Sequence, residues 1–147
     1  MKQSATLIAL IIFIAAVSFV LASEQERQTG LSLTATLTGA AEVPAAGDPD
    51  GTGQVKLTLN PDREEVCYEL TVANIGTPTG AHIHTGAVDV AGPVLVPLKT
   101  PVKGSVKDCV KLDREKIADI LKNPASYYVN VHNADFPNGA IRGQLSK

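Results

Sequence analysis

Apolar and polar residues alternate with a period of two along most of the chain. Leu31, Leu33, Ala35 and Leu37 are separated by Ser and Thr. Val55, Leu57 and Leu59 alternate with Lys56 and Thr58, and Val66, Tyr68, Leu70 and Val72 repeat the pattern. Successive side chains of a strand point to opposite faces, so this alternation predicts strands with one buried and one wet face. Asn60-Pro61-Asp62-Arg63 has turn chemistry, which makes residues 53–73 a predicted hairpin. Further short strands are predicted near residues 80–85, 93–98, 104–111, 127–133 and 139–145. Their regular spacing predicts an all-β fold, an antiparallel β-sandwich or Greek-key barrel of about eight strands with one short helix. Asp113 is placed to cap that helix, Ile117, Ile120 and Leu121 form its apolar face, and Asn123-Pro124 ends it. Residues 40–53, rich in Ala, Gly, Pro and Asp, are expected to loop without pairing in register. Asp48-Pro49-Asp50-Gly51 within them lacks the later ligands of a calcium loop and reads as a turn.

The N-terminus follows a different rule. Lys2 precedes an apolar run from Ala5 to Leu21, and Val20 and Ala22 stand at the small-residue positions of a cleavage point. Residues 1–22 are therefore expected to be a signal peptide cut after Ala22, with 23–30 a short polar tether and 31–147 the folded domain. An uncleaved N-terminal anchor is the alternative, since such a run just reaches the length that spans a bilayer. Either way the domain is expected outside the cytoplasm: secreted, periplasmic or at the cell surface, with no membrane span after cleavage.

Charge and cysteine usage fit that placement. The full chain of 147 residues carries a formal charge of −2. Loss of Lys2 with the leader makes it −3, from 12 basic and 15 acidic residues. That balance excludes a nucleic-acid binder, which needs a concentrated basic surface. No glycine-rich phosphate loop occurs either. Cys67 and Cys109 are the only cysteines, and in an oxidising compartment they are expected to form one structural disulfide. Their positions in the local patterns turn both away from the apolar faces.

All three histidines fall in two short segments, Gly80-Ala-His82-Ile-His84-Thr-Gly86 and Tyr127-Tyr-Val-Asn-Val-His132-Asn133. On a strand, His82 and His84 project to one face while Ile83 points to the other. In the second segment Tyr127, Val129 and Val131 form the apolar face, so Tyr128, Asn130 and His132 lie opposite. Should the two strands be neighbours, three imidazoles converge. Imidazole suits copper and zinc, and copper(II) binds such ligands most tightly among the common divalent ions. His82, His84 and His132 are thus the candidate metal ligands and copper the candidate ion. The plain alternative is that the three rings only hydrogen-bond nearby loops. Four protein ligands, the mark of a structural zinc site, are not evident.

These same segments carry a family resemblance. Leu37-Thr-Gly39-Ala-Ala-Glu42-Val-Pro44, Ala81-His-Ile-His84-Thr-Gly86, Gly92-Pro93-Val94, Tyr128-Val-Asn-Val-His132 and the ending Phe136-Pro-Asn-Gly139-Ala-Ile-Arg142-Gly143-Gln144-Leu145 resemble the chordin-type (CHRD) domain. The resemblance spans about residues 31–145 and implies an extracellular all-β module. Ala40-Ala41 before Glu42, and Ala45 where a second proline is common, depart from the pattern. A more local likeness runs through residues 66–84 and from His132 to Gly143, which are similar to the copper segments of copper/zinc superoxide dismutase. It implies a dismutase-like or immunoglobulin-like sandwich, with His82, His84 and His132 as copper ligands and Arg142 near the ion. That enzyme also needs a histidine bridging copper to zinc, and this chain has no fourth histidine.

Arg142 is a candidate for guiding an anion, or for bridging to Glu42, because guanidinium and carboxylate pair as a fork. Asn130 is a candidate for orienting a histidine. No Ser-His-Asp order, paired-carboxylate motif or free thiol points to turnover. The sequence therefore leaves three readings: a copper-binding module, a dismutase-like copper redox enzyme, and a metal-free domain for adhesion or an extracytoplasmic protein partner.

Overall fold

A computed structural model describes residues 30–147. The expected signal peptide and all of the tether before Gly30 lie outside the described residues. Within them the chain runs through β1 (Leu31–Thr38), β2 (Thr52–Asn60), β3 (Glu65–Ala73), β4 (Pro78–Thr85), β5 (Val94–Leu98) and β6 (Ser105–Lys111). Helix α1 (Arg114–Lys122), β7 (Tyr127–Asn133) and β8 (Ile141–Gln144) complete it. The eight strands form one antiparallel sheet in the order β5-β4-β7-β8-β1-β2-β3-β6.

The sheet curls until its two edges nearly meet. The Lys99 backbone N–H, just beyond β5, donates to the Tyr68 hydroxyl of β3 at 2.7 Å. Lys99 Nζ stands 3.9 Å from Asp108 on β6. The result is the all-β barrel of eight strands that the alternation predicts. Its interior is filled from every wall: Leu33 and Leu37 from β1, Leu57 and Leu59 from β2, Val66 and Leu70 from β3, Ile83 from β4, Val129 and Val131 from β7. Burying such side chains is the main stabilising term, about 1.5–3 kcal/mol each. Helix α1 adds Ile117 and Ile120, both fully buried, to the same core.

Tyr68 and Tyr127 show why two aromatic residues with polar tips can sit in this core. The Tyr127 hydroxyl donates to the Asp119 carboxylate of α1, tying the helix to β7. Asp113 does occupy the residue before α1, but its carboxylate makes no capping bond to the helix backbone and lies 3.4 Å from Lys116 instead. Cys67 and Cys109 face each other directly in the β3–β6 register and are joined as a disulfide closing 42 residues. On the same outer face Glu69 pairs with Lys107 at 2.6 Å.

The observed strands shift several expected limits by one or two residues: β4 begins at Pro78 rather than 80, β5 and β6 each begin one residue later, and β2 and β8 shift as well. β2 begins at Thr52, so Thr52 and Gly53 pair with Thr38 and Leu37, extending the ladder two residues into the expected loop. A methyl group on Gly53 would come within 2.8 Å of Thr71 O, which explains a glycine in a paired strand. β8 starts at Ile141 rather than 139, because Gly139 turns the chain with φ +148°. Among the described residues no helix is long and apolar enough to cross a membrane.

Candidate metal centre

Antiparallel pairing sets the histidines in rows. β4 pairs with β7 so that His82 stands opposite Asn130, His84 opposite Tyr128, and Gly80 opposite His132. β7 pairs with β8 so that Asn130 stands opposite Arg142 and Tyr128 opposite Gln144. All these side chains leave the barrel on the face opposite Ile83, Val129 and Val131, as the period of two requires. A residue 50 positions away in sequence thereby joins the His-x-His pair.

The three rings offer ligand nitrogens that lie within 4.8 Å of one another. His82 Nδ1 is 3.1 Å from His132 Nε2. Two nitrogens each about 2.0–2.1 Å from a shared ion stand roughly 2.9–3.4 Å apart at angles of roughly 90–110°, so this spacing is that of two neighbouring ligands. Two of the other ring nitrogens are committed to backbone. His84 Nδ1 lies 2.9 Å from Gly92 O, and His132 Nδ1 lies 3.0 Å from Pro137 O. A carbonyl can only accept, so both Nδ1 atoms carry the proton and both Nε2 atoms keep their lone pairs. His84 Nε2 is buried and has no hydrogen-bond partner. An imidazole held by a carbonyl on one nitrogen, with its other lone pair unused, is how a metal-ligating histidine is oriented.

The surroundings are more enclosed than an outer strand face suggests. His82 and His132 are half-buried and His84 is buried. Their neighbours Tyr128, Asn130 and Arg142 are also buried, because three loops fold back over the sheet. The loop of residues 86–93 is fastened by side chains from below. Arg142 donates to Val90 O at 3.0 Å and to Ala87 O at 2.7 Å, and Gln144 donates to Gly86 O at 2.7 Å. The Tyr128 hydroxyl accepts from Gly92 N at 3.2 Å. Beneath this cover the rings stack. Tyr128 lies parallel to His84 with centroids 4.7 Å apart, and the Arg142 guanidinium sits 3.5 Å from the Tyr128 ring centre.

Glu42, 6% exposed, reaches this layer from the loop after β1. Its carboxyl rests directly on Gly139, where a methyl group would come within 2.3–2.5 Å of the carboxyl atoms. Glu42 Oε1 and Asn130 Oδ1 are both buried without a hydrogen-bond partner. The Arg142 guanidinium is committed to the loop carbonyls rather than to a fork with Glu42, and its charge acts on the carboxyl through space. Burial outweighs that attraction and pushes the Glu42 carboxyl up to about 7. Burial also lowers the proton affinity of His82, with the nearby His132 and His84 adding to the effect. His132 is lowered chiefly by burial, partly offset by the Pro137 carbonyl. Rings held neutral in this way are in the protonation state that metal ligation requires.

The arrangement thus brings together His82, His84 and His132, sets Asn130 beside them in the row of His82, and places Arg142 and Glu42 one layer away. The Cys67–Cys109 bridge belongs to the β3–β6 wall and takes no part. Gly92 and Pro137 are the functional residues that side-chain reasoning missed, since they act through backbone carbonyls that every residue has. Only glycine fits at 92, where an added methyl would fall 1.6 Å from Thr85 O. A glycine next to a proline, just before a strand, is the available signal.

An eight-stranded antiparallel barrel carrying three clustered imidazoles on one outer face defines the class of this molecule. The model of the CHRD domain matches residues 33–145, most of the chain, so the protein belongs to the CHRD-domain family. No curated protein and no solved structure matches it.

Proposed function

We propose that this protein is an exported binding module that holds a single copper ion through His82, His84 and His132. The observation that carries the reading is the convergence of three ring nitrogens within 4.8 Å, with His84 Nε2 buried and unpartnered. Such a nitrogen costs stability until something uses its lone pair, and a metal ion does. Copper is favoured by the ligand set, because imidazole nitrogen binds it most tightly among the common divalent ions. Zinc in a closed structural site asks for a fourth protein ligand, and among the described residues the cluster has three. Export is supported by the apolar leader with its small-residue exit, and by a disulfide of the kind that persists in oxidising compartments.

Binding is favoured over dismutase-like turnover by the state of Arg142. The guanidinium is 1% exposed and donates to loop carbonyls, so it is not free to meet an anion arriving from solvent. Calorimetric titration of copper into the purified protein tests the proposal. One equivalent should bind to the wild type and none to the same site in the His82→Ala/His132→Ala variant. Equal binding by both proteins discards it, and leaves the histidines with a purely structural role in a metal-free domain.

A further inference from the structure

Resting on the copper reading above, we infer that the site takes copper in its monovalent state in preference to the divalent one, because a buried guanidinium is stacked on Tyr128, the ring that in turn stacks on the ligand His84.

Three features lead there. The ligands are neutral imidazoles, and among the described residues the cluster includes no carboxylate to offset a second positive charge on the metal. The Glu42 carboxyl rests on Gly139 rather than joining the cluster. Then comes the stack: Arg142 against Tyr128 at 3.5 Å to the ring centre, and Tyr128 against His84 at 4.7 Å between centres, the two rings within 10° of parallel. A guanidinium is charged at every working pH. With its N–H groups turned to the neutral carbonyls of Val90 and Ala87, Arg142 makes no contact ion pair, and its field crosses the buried Tyr128 and His84 rings, where screening is weak. That field repels a doubly charged ion twice as strongly as a singly charged one. Finally, divalent copper prefers a tetragonal set of four or more nitrogen and oxygen ligands, while among the described residues the cluster offers three.

The test measures both affinities on the full chain. Copper(I) is titrated anaerobically against a chromogenic copper(I) chelator, and copper(II) in air against glycine. The wild type should bind copper(I) at least about tenfold more tightly than copper(II). Arg142→Met removes the charge and should cut that ratio by about tenfold or more, which for a one-electron couple is 59 mV. Arg142→Lys keeps the charge and should retain most of the preference. Should either variant fail to fold, the wild-type ratio still decides: copper(II) binding as tightly as copper(I), or more tightly, overturns the inference while leaving the copper site standing. Failure of both ions to bind overturns the copper reading itself, and this inference with it.

Discussion

His82 Nδ1 and His132 Nε2 stand 3.1 Å apart although 50 residues separate them in sequence. The contact exists because β7 returns beside β4 with His132 two residue pairs beyond the row that joins His82 to Asn130, and so on the same face. With the Nδ1 proton of His132 given to Pro137, its Nε2 can only accept. In the metal-free protein the proton between the two rings must therefore belong to His82. A metal ion bound at Nδ1 would move that proton to His82 Nε2, with no net release from a neutral ring. Copper binding should therefore release protons only where acid has charged the rings, so calorimetry in buffers of different ionisation enthalpy should give a heat that is nearly buffer-independent at about pH 8 and becomes buffer-dependent as pH is lowered towards about 5.5. Heats that stay identical in all buffers over that whole range would count against it.

Acid should weaken both the fold and metal binding. His82 and His132 have folded-state proton affinities below the ordinary histidine value, so the unfolded chain takes up protons first. Stability from these rings is full above the unfolded pKa of about 6.5 and is lost as pH falls through that value towards the folded ones. Thermal melts between pH 8 and 5 should fall more steeply for the wild type than for His82→Ala/His132→Ala.

Glu42 has the opposite sign. Its folded pKa of about 7 lies above the ordinary 4.5, so its contribution is present below 4.5 and is lost as pH rises through 7. Glu42→Gln removes the cost of a buried charge. It should gain on the wild type as pH is raised, by about 1–3 kcal/mol at pH 8 in denaturant unfolding. A constant difference between the two proteins from pH 4 to 8 would contradict the assignment.

Gly92→Ala should separate the loop from His84, the candidate ligand it holds. The added methyl would meet Thr85 O, so the loop must shift and carry Gly92 O away from His84 Nδ1. A loss of about 1–3 kcal/mol in stability is expected, together with weaker copper binding. Cys67→Ser/Cys109→Ser provides the contrast. It should cost about 2–4 kcal/mol while leaving copper affinity unchanged, because β3 and β6 form the wall away from the histidines.

The barrel was legible in the sequence because burial with period two writes itself into residue type. Leu31 to Leu37, Val55 to Leu59 and Val66 to Val72 alternate clearly, and where strand limits moved along the chain they moved by one or two residues. The facing of His82 and His84, and of His132 with Asn130 and Tyr128, follows from the same rule. Strand order does not, since no local pattern reveals that β4 pairs with β7, and the convergence of the rings depends on it. Nor does periodicity show that loops return over the polar face, which is why Arg142 serves as the bolt of the 86–93 loop instead of lying open beside the histidines. The carbonyls of Gly92 and Pro137 have no side-chain signature, so the orientation of two of the three imidazoles could be read only from the fold.

X-ray absorption at the copper edge, on protein loaded with one equivalent, reads the ligand set itself. Three imidazole nitrogens should surround the metal, falling to two in His84→Ala. A copper environment with a single imidazole, or one unchanged by removing His84, would contradict the three-histidine site.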